Sequence, residues 1–347
     1  MLVLMVTVNV LVVSPQEEPI IETPRVIHTC EELIGDEPGH TNPCQVSFYL
    51  KSDDHPLHLM WAGKSMPEMY WQNVRLMIRM RTSSGHPVFI WSNELKWNRY
   101  VERQRRVFLV RYNVAKMLPD NKMAKYFTDH MNKTTPVHLS DLVRLTVIYI
   151  YGGIFMDTDM IPVRDMKTYD DSVGLLGVNS VYKCLNCVKG RPDLPAVTHG
   201  SFKITCACSC LLSFKKNSPF IRDALEMSYE YFFKVGGFET YSPGGGCLLM
   251  EVLQHYSNSK LISPVDAVTS FCEEYSQDFY RPVQANKLKR VMDSCYVIHM
   301  YGGGKTVGNP TTLRHQDWLV SKVYQQVESL VNKSHNHVRQ ANATMHN

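Results

Sequence analysis

Two carboxylates set two residues apart, Asp157 and Asp159, close a short apolar run, Ile154-Phe155-Met156. The run reads as a buried strand, and on a straight strand residues two apart point to one face. A strand that delivers paired carboxylates from its C-terminal end places them at a crevice edge, where open α/β sheets bind ligands. Hard oxygen donors of this kind suit Mg²⁺ or Mn²⁺ shared with the phosphates of a substrate. Taken alone, an Asp-x-Asp is equally a pair of solvated turn residues, so its surroundings decide.

Gly152 and Gly153 come just before the run and allow a sharp helix-to-strand turn. The helix before them carries its own polar pair, Asp141 and Arg144, three residues apart and on one face. Ser140 can cap this helix, Asp141 suits its positive end, and Leu142, Leu145 and Tyr149 form an inward stripe. Read without the rest, Asp141 and Arg144 are also consistent with a surface ion pair of little worth.

The assembled pattern, S-D-x-x-R, an apolar run, G-G, an aromatic and D-x-D, resembles the signature of the DXD-containing sugar transferases grouped as glycosyltransferase family 32. That group includes α1,4-galactosyl- and α1,4-N-acetylglucosaminyltransferases of the Golgi. The resemblance implies an α/β chain with a GT-A, Rossmann-like fold and a mostly parallel central sheet. It implies a retaining, metal-dependent transfer of a hexose or N-acetylhexosamine, of α1,4 type, from a UDP-sugar to a glycan, glycolipid or glycoprotein acceptor. Asp141 and Arg144 would then grip the donor sugar, Asp157 would contact ribose and sugar, and Asp159 would ligate Mn²⁺ or Mg²⁺. A front-face displacement, with the leaving phosphate taking the acceptor's proton, needs no protein nucleophile.

Two flanking segments extend the resemblance. Residues 57–64, ending in Trp61-Ala62-Gly63-Lys64, look like the family's first strand, whose Trp stacks on the uracil. A flat indole at a strand end makes sense as a nucleobase platform, although Trp61 is equally at home in a core. Residues 297–305 form a strand running into Gly302-Gly303-Gly304-Lys305. In this setting His299 becomes a third metal ligand, since imidazole joins carboxylates readily around Mn²⁺. Gly303 would bring backbone amides to the diphosphate and Lys305 would supply positive charge.

With 347 residues and 44% hydrophobic content, the chain can bury a sizeable core. Its net charge of +4 is small and dispersed, which argues against a nucleic-acid partner. Residues 1–13 are apolar apart from Thr7 and Asn9. As a helix they would span about 20 Å, short of the ~30 Å hydrocarbon core, and they read as a signal h-region, a shortened signal anchor or a buried strand. The resemblance favours the anchor, in a single-pass type II protein of the Golgi lumen. Residues 14–55 read as a stem or linker, 56–320 as the GT-A domain, and 321–347 as a helix end with a polar tail.

Three N-x-S/T triplets, at Asn132, Asn332 and Asn342, are candidate glycosylation sites. Of the ten cysteines, Cys184, Cys187, Cys206, Cys208 and Cys210 crowd into an insert at 178–211. Disulfides are expected to order this segment, which has little apolar surface, with a C-x-x-C plus C-x-C zinc site as the alternative. The resemblance implies that the insert lies beside the donor site, on the acceptor side. Elsewhere a capping box at Ser65 and Glu68 predicts a helix to about Arg81, strands follow at 87–91 and 107–110, and helices at 218–233 and 312–331, the last a surface helix. The alternation means an α/β sandwich. Two other readings compete: a non-catalytic, lectin-like or scaffolding relative, and an Asp-x-Asp phosphohydrolase. The second wants Thr or Val two places after its second Asp, where this chain has Ile161.

Overall fold

The computed structural model describes residues 46–96, 99–102, 104–164, 174–178, 197–199, 202–204, 207–239, 244–256, 262–263, 285–295, 297–299 and 319–344. Its centre is a seven-stranded sheet, in spatial order β10 (Ile262–Ser263), β6 (Gly174–Val178), β9 (Ala207–Phe214), β4 (Gly153–Met156), β1 (Leu57–Met60), β2 (Val88–Trp91) and β3 (Val107–Val110). Neighbouring strands are parallel except at β9, which runs against both β4 and β6, while β7 (Val197–His199) and β8 (Phe202–Ile204) form a separate antiparallel pair. The expected α/β architecture with a mostly parallel sheet is therefore present. Its central strands are short and apolar, and β1 and β2 are buried along their whole length, as fits strands covered on both faces.

The crossovers set the geometry that matters. From β1 the chain passes through α1 (Glu68–Ser83) to β2 and on to β3, while β4 returns to the other side of β1. The order thus reverses between β1 and β4, and such a switch point opens a crevice beyond the C-terminal strand ends. Trp61 follows β1 and Asp157 follows β4, so both stand at that crevice.

After α2 (Lys122–Asp129), α3 (Pro136–Tyr151) leads into β4. It starts earlier than Ser140: Thr135 caps it, accepting from the His138 amide while the His138 ring takes the Thr135 amide, and Pro136 occupies the first turn. Instead of one inward stripe, every residue from Asp141 to Tyr151 is buried. α3 ends at Gly152 (φ 67°) and Gly153 (φ 95°). A Cβ at Gly152 would lie 2.6 Å from the Lys216 amide nitrogen, and one at Gly153 would lie 2.4 Å from the Pro56 carbonyl oxygen. Only glycine fits this turn. α1 also begins differently from expectation. Pro67 is its N-cap with no side-chain bond, and the Ser65 carbonyl instead accepts the Trp61 indole N–H.

The large core packs α3, α4 (Pro219–Lys234) and α5 (Gly246–His255) with the sheet. A second, smaller core lies between the outer face of α1, the antiparallel pair β5 (Met160–Pro162) and β11 (Val297–His299), α6 (Ala285–Ser294) and α7 (Leu319–Thr344). α7 continues well past Val331, and its buried face of Val320, Val323, Tyr324, Val327 and Val331 makes it part of this core instead of a surface helix.

Among the described residues no helix is long and apolar enough to cross a membrane. This corrects the expected single-pass type II anchor. Residues 1–13, on which that expectation rested, lie outside the described residues.

Candidate active site

The strand carrying the carboxylates stops at Met156, and residues 157–159 form a turn closed by the Met160 amide donating to the Asp157 carbonyl at 3.2 Å. The two carboxylates therefore converge by chain reversal, not by the alternation of a straight strand. The turn is held at two more points. The Asp157 amide donates to the Cys210 carbonyl on β9 at 2.9 Å, and Asn73 of α1 donates its side-chain N–H to the Thr158 carbonyl at 2.9 Å.

β11 supplies the third group. Its antiparallel register sets His299 opposite Met160, and His299 Nε2 lies 3.2 Å from Asp159 Oδ1. One ligand atom each from Asp157, Asp159 and His299 falls within 4.8 Å of the others. Two carboxylates and an imidazole are a donor set suited to Mn²⁺ or Mg²⁺. Thus His299, predicted from a distant part of the chain, does meet the Asp-x-Asp. Gly303 and Lys305 lie outside the described residues.

Arg144 ties the α3 pair to the turn. Its guanidinium reaches Asp141 Oδ1 at 3.4 Å and Asp157 Oδ2 at 3.3 Å. It donates to Ser209 Oγ and Ser140 Oγ, each at 2.9 Å, and to the Ser140 carbonyl at 3.2 Å. Phe155 underlies it, ring centroid 5.0 Å from the guanidinium carbon. Asp141 and Arg144 are 2% and 5% exposed, which excludes the surface ion pair. Ser140, expected as a helix cap, is a ligand of Arg144. The glycine run before α5 closes over this network: a Cβ on Gly244 would lie 3.2 Å from Asp141 Cβ.

Burial pushes the Asp157 carboxyl up to about 6, with Asp159 and Asp141 acting in the same direction and Arg144 and His299 opposing. Arg144 thus serves two carboxylates while Asp159 adds a third negative charge beside Asp157, a field that favours a divalent cation. Trp61 is half-buried at the β1 end, its ring tilted against Tyr70 with centroids 5.2 Å apart.

Asn73 and Ser209 had no sequence signal, one being a single polar residue among several in a helix and the other part of the cysteine-rich insert. That insert was expected beside the site; its end forms β9 in the middle of the sheet, where Cys210 is disulfide-bonded, as are Cys247 and Cys295. Of the candidate glycosylation sites, Asn132 is exposed in the turn after α2, Asn332 is exposed on α7 with Arg79 donating to its carboxamide oxygen, and Asn342 lies in the last turns of α7.

Residues 69–175 match the family model described as glycosyltransferase sugar-binding region containing DXD motif. An uncharacterized protein of Arabidopsis thaliana, At4g19900, is 25% identical over 167 residues, which cover 47% of this chain and 22% of that protein. The chain therefore matches about a fifth of that relative's length. Among solved structures, similarity extends to PaToxG glycosyltransferase (17% identity, 58% of this chain and 68% of that one, TM-score 0.42). It also extends to galactosyltransferase LgtC in complex with donor and acceptor sugar analogs (9% identity, 80% and 95%, TM-score 0.44). Asp141, Arg144, Asp157 and Asp159 all lie within the segment that matches this glycosyltransferase sugar-binding region of the DXD type.

Proposed function

We propose that this chain is a divalent-metal-dependent glycosyltransferase of the family 32 kind, with its GT-A domain at 56–320. It would move a hexose or N-acetylhexosamine from a UDP-sugar to a glycan or glycolipid hydroxyl, with retention and in α1,4 linkage. The observation that carries this reading is the convergence of Asp157, Asp159 and His299 at a sheet switch point, within and beside the DXD region.

Asp157, Asp159 and His299 would hold the cation. When bound, Mn²⁺ or Mg²⁺ supplies Lewis-acid neutralisation of charge growing on the departing diphosphate. Trp61 presents an indole face to the uracil. Gly303 and Lys305, next along the chain from His299, serve the diphosphate. Asp141 accepts from donor-sugar hydroxyls, while Arg144, already turned to Asp141, Asp157 and Ser209, contributes mainly by holding both carboxylates in place.

A panel of UDP-sugars, assayed for UDP release with and without Mn²⁺, tests the reading. Mn²⁺-dependent release from one donor, lost in Asp159→Asn with the fold retained, is the expected result. Full turnover by Asp159→Asn at low Mn²⁺ would remove the metal assignment.

A further inference from the structure

We infer that Asn73 is a positioning residue for the metal-binding turn, clamping it from the helix α1 side. The inference rests on the metal-site reading given above and extends it to a residue with no carboxylate, imidazole or substrate contact of its own.

α1 is buried on two sides, with Met69, Leu76 and Met80 in the smaller core and Val74, Met77 and Ile78 in the larger one, and Asn73 on the same helix is fully buried. An amide in such a setting is costly unless it is bonded. Its Nδ2 donates to the carbonyl of Thr158, the middle residue of Asp157-Thr158-Asp159, at 2.9 Å. Its Oδ1 has no hydrogen-bond partner among the described residues. Half of the amide is thus left unsatisfied while the other half grips one atom of the turn. A leucine would satisfy this apolar face better, with higher helix propensity. The polar group is therefore accounted for by the turn and not by stability.

The grip falls where it has leverage. Thr158 O belongs to the peptide plane joining Thr158 to Asp159, so fixing it sets the direction in which Asp159 leaves the backbone. Asp157 is fixed separately through its amide to Cys210 and its carboxylate to Arg144. β5 begins at Met160, opposite His299. Without the Asn73 bond, the Thr158 carbonyl loses its side-chain anchor, and the peptide that carries Asp159 can tilt, which shifts the Asp159 carboxylate relative to His299 and Asp157. Groups that orient metal ligands in this indirect way typically change affinity by 10- to 100-fold.

The test measures Mn²⁺ binding by titration calorimetry for wild type, Asn73→Leu and Asn73→Ser, with thermal unfolding of each protein without metal. The expected result for Asn73→Leu is a Tm unchanged or raised, with Mn²⁺ affinity about tenfold weaker or worse. In turnover, the Mn²⁺ concentration for half-maximal rate should rise while the rate at saturating Mn²⁺ largely recovers. Should Asn73→Leu not fold, Asn73→Ser decides, its hydroxyl being too short to reach Thr158. Unchanged Mn²⁺ affinity in a folded variant, or a lowered Tm with unchanged affinity, overturns the assignment of Asn73 alone. Failure of the wild type to bind Mn²⁺ overturns it together with the metal-site reading.

Discussion

His299 Nε2 stands 3.2 Å from Asp159 Oδ1 because β11 and β5 pair with His299 opposite Met160. The contact is a product of sheet register, and register is fixed by the smaller core: Ile161 and Ile298, paired across the two strands, are both fully buried in it. A slip of one residue would turn His299 to the opposite face. His299→Ala should therefore leave the fold intact and weaken Mn²⁺ binding by at least the roughly 10- to 100-fold typical of groups that only orient ligands. Calorimetric affinity equal to wild type would assign His299 to the Asp159 contact alone.

Arg144 is the cation on which Asp141 and Asp157 depend. Its side chain is 6% exposed, against 2% and 26% for the two carboxylates. Removing one partner of a buried ion pair leaves the other uncompensated, at a cost of about 3–5 kcal/mol for full burial. Since Asp157 is partly open to solvent, the lower end applies. Arg144→Met should lose about 3 kcal/mol in urea unfolding, and should weaken UDP-sugar binding more than UDP binding. Arg144→Lys should recover little of this, because one ammonium cannot replace the fork that serves Asp141, Asp157, Ser140 and Ser209 together. Equal loss of UDP and UDP-sugar affinity would mark the arginine as purely structural.

Much of the site was legible locally, and the reasons for the misses are physical. Asp157, Asp159, Gly152 and Gly153 lie within one short stretch, where a turn's demand for glycine and a sheet edge's supply of carboxylates can be read in order. The start of α3 was misplaced because its capping box, Thr135 with His138, uses an imidazole where Glu or Gln is the usual partner. The box read at Ser65 and Glu68 does not form, because Pro67 takes the cap position and the Glu68 carboxylate pairs with Arg75. β9 was missed because its apolar run, Leu211-Leu212, follows a cysteine cluster that reads as an excursion from the domain. Antiparallel insertion between β4 and β6 is a tertiary choice that no local signal announces.

Gly153 gives a direct test of the turn that aims β4. With φ at 95° and a Cβ placed 2.4 Å from the Pro56 carbonyl oxygen, Gly153→Ala must either strain the backbone or displace the start of β1. The Pro56 oxygen also accepts the Ile154 amide at 2.8 Å, so displacement breaks the first β1–β4 bond. A loss of more than about 2 kcal/mol in chemical unfolding is expected, whereas Gly85→Ala, whose Cβ would meet nothing within 4 Å, should lose less despite its positive φ. Equal losses at the two glycines would show that φ alone, and not the Pro56 contact, governs the turn.

Acid sensitivity should come from a histidine outside the site. His58 on β1 is fully buried, its Nδ1 accepting from the Trp91 indole at 3.1 Å and its Nε2 lying 2.9 Å from the Gly152 carbonyl. That pattern requires the neutral ring with its proton on Nε2, which donates to Gly152. Burial lowers the group to about 4 from 6.5, the Gly152 bond opposing in part. Because the folded value lies below the unfolded one, the neutral ring's contribution is complete above about pH 6.5 and declines as pH falls towards 4. Below that it is lost, a total of about 3 kcal/mol. His58→Gln removes the titration while keeping a group that can both donate and accept. Its unfolding free energy should start lower at pH 7.5 and fall less steeply than wild type between pH 6.5 and 4. Parallel pH profiles for the two proteins would place the acid sensitivity elsewhere.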